Sequence, residues 1–234
     1  TAILVVMFAQ KQAAPAFEVV SVKPADPAAV GRFTSGAYDG FRGRNLRLID
    51  LIMNAWQLNR EQVAGGPNWL ETLGWDIDAR GPAGASPAQV PAMMKTMLAD
   101  RFALGVHWES RTLSVYALEV EKNGLKLRKG DGLGGVATGR TLIRDRSATM
   151  PELASQLSSY LGRHVVDKSG ITGQYAVELS FAPVEPNVIA GDSKEDTAPS
   201  IFQALREQAG LKLVSTKAPV QVLVIDHAEK ATPN

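Results

Sequence analysis

The chain has 234 residues, 25 Lys and Arg against 24 Asp and Glu, and no cysteine. That length fits one large domain or two small ones. The charge balance provides no basic stripe for nucleic acid or an anionic membrane surface, and the lack of cysteine excludes disulfides and thiolate metal sites.

The chain opens on Thr1-Ala-Ile-Leu-Val-Val-Met-Phe-Ala-Gln10, in which eight residues are apolar and none is charged. A secretory signal carries an apolar core of about 7–15 residues ending near small ones. Phe8-Ala9-Gln10 fits the tail of such a core, but neither an initiator Met nor a basic region precedes Thr1. The expectation is therefore cleavage further upstream, with the run retained. A membrane-spanning helix needs about 20 apolar residues, so no integral membrane span is expected. A strand about 30 Å long, apolar on both faces, remains. It either packs into its own domain or is donated to a neighbouring copy through Ile3, Leu4, Val5, Val6, Met7 and Phe8.

Lys11–Ala16 reads as a linker. Phe17–Lys23 alternates into a strand stopped by Pro24, and 25–40 reads as loop. Leu46, Leu48, Ile49, Leu51, Ile52 and Trp56 recur at helical spacing over Leu46–Leu58. Trp69–Leu73 suggests a helical turn and Trp75–Ala79 a strand. Ser86, Pro87 and Gln89 form a capping-box start for a helix that turns Val90, Met93, Met94, Met97, Leu98 and Phe102 inward. Leu104–Trp108 and Leu113–Val120 read as a strand pair turning at Glu109-Ser110-Arg111. Leu125–Leu127 reads as a further short strand.

Gly130–Gly135 is the expected joint between two lobes. Beyond it come a strand near Thr141–Asp145, a capping box at Thr149–Glu152 and an amphipathic helix through Leu161. Strands follow at His164–Asp167 and Tyr175–Phe181, then a loop over 183–197 and a helix from Pro199 to Gln208. Leu211–Thr216 and Val220–Ile225 read as a terminal hairpin hinged at Ala218-Pro219. A strand, Leu-rich helix, short strand, turn and closing strand occur near 41–80 and again near 141–181, about 100 residues on. The expected fold is α+β: two lobes of repeated β-α-β-β units, with mixed sheets and helices on one face, plus the N-terminal apolar strand. The lobes are expected at 17–129 and 141–234. Residues 1–16 form strand and linker, and 130–140 the joint.

Several segments together carry a resemblance. They are Phe17–Pro24, Gly65-Gly-Pro-Asn-Trp-Leu70, Leu98–Leu104 with His107 and Glu109, Val115–Leu118, Val165–Gly173 and Lys217–Asp226. In this order they resemble a large paralogous family of exported acidobacterial proteins recorded as a domain of unknown function, over about residues 17–229. Some members look fused to antirepressor-type membrane metallopeptidases, which implies an extracytoplasmic sensing or binding role for those. The resemblance brings no enzymatic activity. It departs at Arg47, where the family usually places a Thr cap before the first helix.

No catalytic or metal-binding residue is assigned. His107, His164 and His227 lack metal-ligand spacing, although His107 and Glu109 share a strand face. Asp167-Lys168-Ser169 lacks the Ser-x-x-Lys order of a nucleophile and reads as a turn. Gly130–Gly135 lacks the Gly-Lys-Ser/Thr ending of a phosphate loop. Asp76 and Asp78 share a strand face and read as solvent-exposed. No cofactor is expected. The leading expectation is an exported, non-enzymatic structural subunit, secreted or at the cell surface, with the periplasm also open. Its partners are copies of itself, joined head to tail by the donated strand into a ring or filament. The alternative is a monomeric extracytoplasmic ligand-binding or sensor module with a cleft lined by Trp56, Trp69 and Trp75.

Overall fold

The computed structural model describes residues 14–29, 31–37, 40–132, 136–183 and 198–232. The expected donated strand, Ile3–Phe8, lies outside the described residues, as does nearly all of the expected loop over 183–197.

The fold is α+β. In chain order the elements are β1 (Val19–Pro24), β2 (Phe33–Ala37), β3 (Gly40–Arg47), α1 (Leu48–Trp56), β4 (Val63–Gly65), α2 (Trp69–Thr72), β5 (Gly74–Arg80), α3 (Val90–Phe102) and β6 (Gly105–Val120). Then come β7 (Arg128–Lys129), β8 (Val136–Gly139), β9 (Leu142–Ala148), α4 (Met150–Leu161), β10 (Val165–Asp167), β11 (Tyr175–Ser180), α5 (Ile201–Ala204) and β12 (Leu211–His227). A π-helical turn, Leu205–Ala209, continues α5. No helix of the described residues is long and apolar enough to cross a membrane.

Among the described residues there are three four-stranded sheets, ordered β1-β5-β3-β2, β10-β6-β12-β4 and β7-β11-β9-β8. The first and third are antiparallel throughout. In the second, β10 runs parallel to β6 and β4 parallel to β12. The chain divides into two compact units. The first extends to Glu109 and takes back the chain from Val222 onward; the second is Ser110–Gln221. The division therefore does not fall at the glycine-rich joint.

The two expected hairpins are not present. Glu109-Ser110-Arg111 lies inside one 16-residue strand, β6, and Ala218-Pro219 inside one 17-residue strand, β12. His107–Ser110 and Val214–Lys217 are exposed along these strands. A strand with solvated side chains at mid-length mimics a turn in its polarity. Residues 33–37 form a strand inside the expected loop over 25–40, and a strand lies near residue 41 as expected, at Gly40–Arg47.

Local chemistry explains the helices. Thr149 accepts from the Glu152 amide while the Glu152 carboxylate accepts from Thr149 N–H at 2.8 Å, a reciprocal cap for α4. At α1 the capping position holds Arg47, whose Nε donates to Asp50 at 3.1 Å instead. The first unit's core joins Val22, Leu46, Trp75 and Ile77 of the sheet to Leu48 and Ile52 of α1, to Met94 and Leu98 of α3, and to Leu223 and Ile225 of β12. The helices thus cover the inner face of β1-β5-β3-β2.

Candidate functional site: a cationic face on the first sheet

Side chains alternate across a strand, so burying Trp75, Ile77 and Ala79 turns Asp76, Asp78 and Arg80 outward. Register brings neighbours alongside: Arg42 is opposite Asp78, Gly40 opposite Arg80, Val19 opposite Arg80 and Ser35 opposite Arg42. A register shift between Gly43 and Leu46 on β3 returns Leu46 to the core and leaves Arg44 outside.

Asp78 is the hub. Arg42 Nε donates to its Oδ1 at 2.5 Å and an Arg44 terminal nitrogen to its Oδ2 at 2.7 Å. Slight burial raises the Asp78 pKa, but the hydrogen bonds and charges of Arg44 and Arg42 outweigh it and hold the carboxyl below its ordinary value of 3.8. The other terminal nitrogen of Arg44 reaches the carbonyls of Gly43 and Ile77 at 3.0 and 3.3 Å. Arg44 is therefore held on the sheet, whereas Arg42 engages Asp78 through Nε alone. Arg80 has no ion pair among the described residues.

Beside Arg42 and Arg80 the face opens into a cavity of about 290 Å³, with Val19, Ser35, Gly40 and Asp78 also in its wall. Gly40 is required for close approach, because a Cβ there would stand 2.3 Å from the Ala79 carbonyl oxygen. Val19 is 59% exposed and Phe33, at the far side of the face, 58%. A second cavity of about 300 Å³ adjoins Arg44, Phe33 and Arg32. Arg42 and Arg44 thus hold Asp78 while Arg80 stands beside them, three guanidiniums against the two outward aspartates Asp76 and Asp78, with apolar surface at either edge.

The antiparallel sheet of the second unit, β7-β11-β9-β8, can be compared with that of the first pair by pair. Arg144 faces and pairs with Glu178, as Arg42 does with Asp78. Leu142 faces Ser180 where the first unit has Gly40 facing Arg80, and Ala137 faces Arg144 where the first has Ser35 facing Arg42. A cavity of about 470 Å³ lies beside Leu142, Arg144, Glu178 and Ser180 as well, so the difference is one of charge: Ser180 stands where the first unit has Arg80.

The tryptophans occupy a different place from the expected cleft. Trp75 is buried and meets Phe102 edge-on at 5.0 Å and Trp69 at 6.5 Å. Trp56 packs against the same core, with Lys95 Nζ over its ring. Asp167 accepts from the Ser169 amide and hydroxyl at 2.9 and 2.7 Å, which is turn chemistry. His107 Nδ1 lies 2.8 and 2.9 Å from the two carboxylate oxygens of Asp226, and both side chains are half exposed. Among the described residues no group of three His, Asp or Glu is placed to hold a metal.

The sequence profile of a family described as proteins of unknown function, DUF3738, matches residues 49–228. The chain belongs to that family. No curated protein and no solved structure is similar to it. The family match begins at Ile49, so β5 with Asp78 and Arg80 lies within it and β3 with Gly40, Arg42 and Arg44 lies before it.

Proposed function

We propose that the protein is a non-enzymatic binding module, acting outside the cytoplasm, that seats a small anionic ligand with an apolar body on the outer face of β1-β5-β3-β2. The observation that supports this is the excess of guanidinium around Asp78 beside a cavity with an apolar wall. A carboxylate or phosphate there meets the terminal N–H groups of Arg42 and Arg80 and the Ser35 hydroxyl. Val19 offers the apolar contact. Asp78 stays ionised and fixes Arg42, so little side-chain order is lost on binding. A hydrogen bond to a charged group contributes roughly 1.5–3 kcal/mol, so loss of Arg80 should weaken binding about tenfold or more. The test is calorimetric titration with benzoate, phenyl phosphate and inorganic phosphate. Binding that falls in Arg80→Ala and persists in Arg144→Ala supports the reading. No binding of any of the three, or equal binding by both variants, refutes it.

A second reading keeps the donated strand. Pro15 holds the chain downstream of the apolar run on α3, where Thr96 Oγ1 donates to its carbonyl at 2.7 Å. β1 follows directly and, among the described residues, stands at the end of its sheet order. An uncharged apolar run rich in β-branched residues, such as Ile3–Phe8, is the kind of segment that strand addition between copies uses. Light scattering on the chain with and without residues 1–13 decides it. Assembly that needs those residues supports donation, and a monomer in both forms removes it.

A further inference from the structure

We propose that the two halves of the chain, β1 to β6 and β7 to β12, are copies of one β-β-β-α-β-β-α-β module, the first with α2 inserted, and that the last strand of each copy has crossed over to close the other. The strand order β1-β5-β3-β2 recurs as β7-β11-β9-β8. The pairs recur as well. Gly40↔Arg80, Arg42↔Asp78 and Leu46↔Trp75 match Leu142↔Ser180, Arg144↔Glu178 and Ala148↔Tyr175. The edge pair Thr34↔Gly43 matches Val136↔Asp145. The irregularity between Gly43 and Leu46 recurs between Asp145 and Ala148, at the same step of the ladder. Helix α1 follows β3 directly, as α4 follows β9 after a single capping residue. Hydrophobic patterning alone fixes neither a shared bulge nor a shared Arg–carboxylate pair, and agreement at all of these pairs is what duplication of a module leaves.

The crossing shows in the short parallel strands. β4 does not pair with β6, the last strand of its own half; its partner is β12, at Val63↔Leu223 through Gly65↔Ile225. β10 in turn pairs with β6, at Val165↔Tyr116 through Asp167↔Leu118. Setting Tyr116 over Leu223 aligns Thr112-Leu-Ser-Val-Tyr-Ala-Leu-Glu119 with Pro219-Val-Gln-Val-Leu-Val-Ile-Asp226. The buried Val115 and Leu118 then coincide with the buried Val222 and Ile225. Leu223 and Ile225 complete the first unit's core, and Leu118 the second's. Neither half of the sequence has a closed core without a strand encoded in the other, so each half keeps a strand of the other after a cut between them.

A specific protease site placed at the exposed Asp131–Gly132, in the otherwise complete chain, tests this. After cleavage the two fragments should co-elute at the size of the intact protein in native buffer and separate only in denaturant. Fragments that part on a native column overturn the proposal. Hydrogen exchange on the uncut chain gives a second test that does not depend on the insertion. Ile225→Ala, encoded in the second half of the chain, should lower the protection of β3 and β5 amides by about tenfold or more. Unchanged protection in β3 and β5 overturns the exchange.

Discussion

Ile77→Ala probes the arrangement that creates the cationic face. Ile77 is fully buried at the middle of β5, between Val22 of β1 and Gly43 of β3. The substitution removes three carbons from a packed core. At about 0.8 kcal/mol per methylene the transfer part is roughly 2.4 kcal/mol, and the residual cavity brings the cost to about 3–4 kcal/mol. Native stability is typically about 5–15 kcal/mol, so the variant should fold but unfold at clearly lower denaturant. Urea titration followed by tryptophan fluorescence measures it, and Trp56, Trp69, Trp75 and Trp108 all lie in the first unit. Val19→Ala is the control on the opposite face, where a change within about 0.5 kcal/mol is expected. A loss below about 1 kcal/mol for Ile77→Ala, or equal losses for both, would mean that β5 presents its other side to the core. The outward set of Asp76, Asp78 and Arg80 would then be wrong.

Two further outcomes follow from local chemistry. Thr149→Ala removes the reciprocal cap of α4 and should cost about 1 kcal/mol in urea unfolding, with Thr149→Ser restoring most of it; no loss contradicts the capping geometry. Asp78 has a folded pKa below its unfolded value, so its contribution is complete above 3.8 and is lost as the pH falls through the folded value. The stability gap between wild type and Asp78→Asn should therefore be constant at neutral pH and narrow as the pH falls below 3.8, and a gap that does not narrow on acidification refutes the assignment.

The sequence announces elements whose signal is local and leaves unannounced those whose signal lies in a distant partner. The α4 cap is carried by Thr149 and Glu152 alone, and the Pro87 and Gln89 pattern marks the approach to α3 as a capping-box turn. β2 reads as loop, and β3 is announced only as a strand near residue 41 without bounds, because Gly43, not a large apolar residue, takes one of its inward positions. β6 and β12 read as hairpins because their exposed middle residues, and Pro219, carry the polarity and punctuation of turns. The cationic face needs strand pairing to exist at all. Arg42 and Arg44 on one strand and Asp76 and Asp78 on another are each only alternating charges until register sets them side by side. That alternation, facing an acidic alternation about 35 residues on, is the signal that pairing rules would have converted into a site. The tryptophans attracted attention as a cleft through their chemistry, yet Trp75 is better explained by the ring it buries against Phe102.

The most direct measurement is a benzoate titration of isotope-labelled protein, followed amide by amide by NMR. Shifts that saturate together at Val19, Ser35, Gly40, Arg42 and Arg80, with Leu142, Arg144 and Ser180 unmoved, are the predicted result. Shifts spread over both sheets, or centred on the second unit, would contradict a dedicated anion seat on the first.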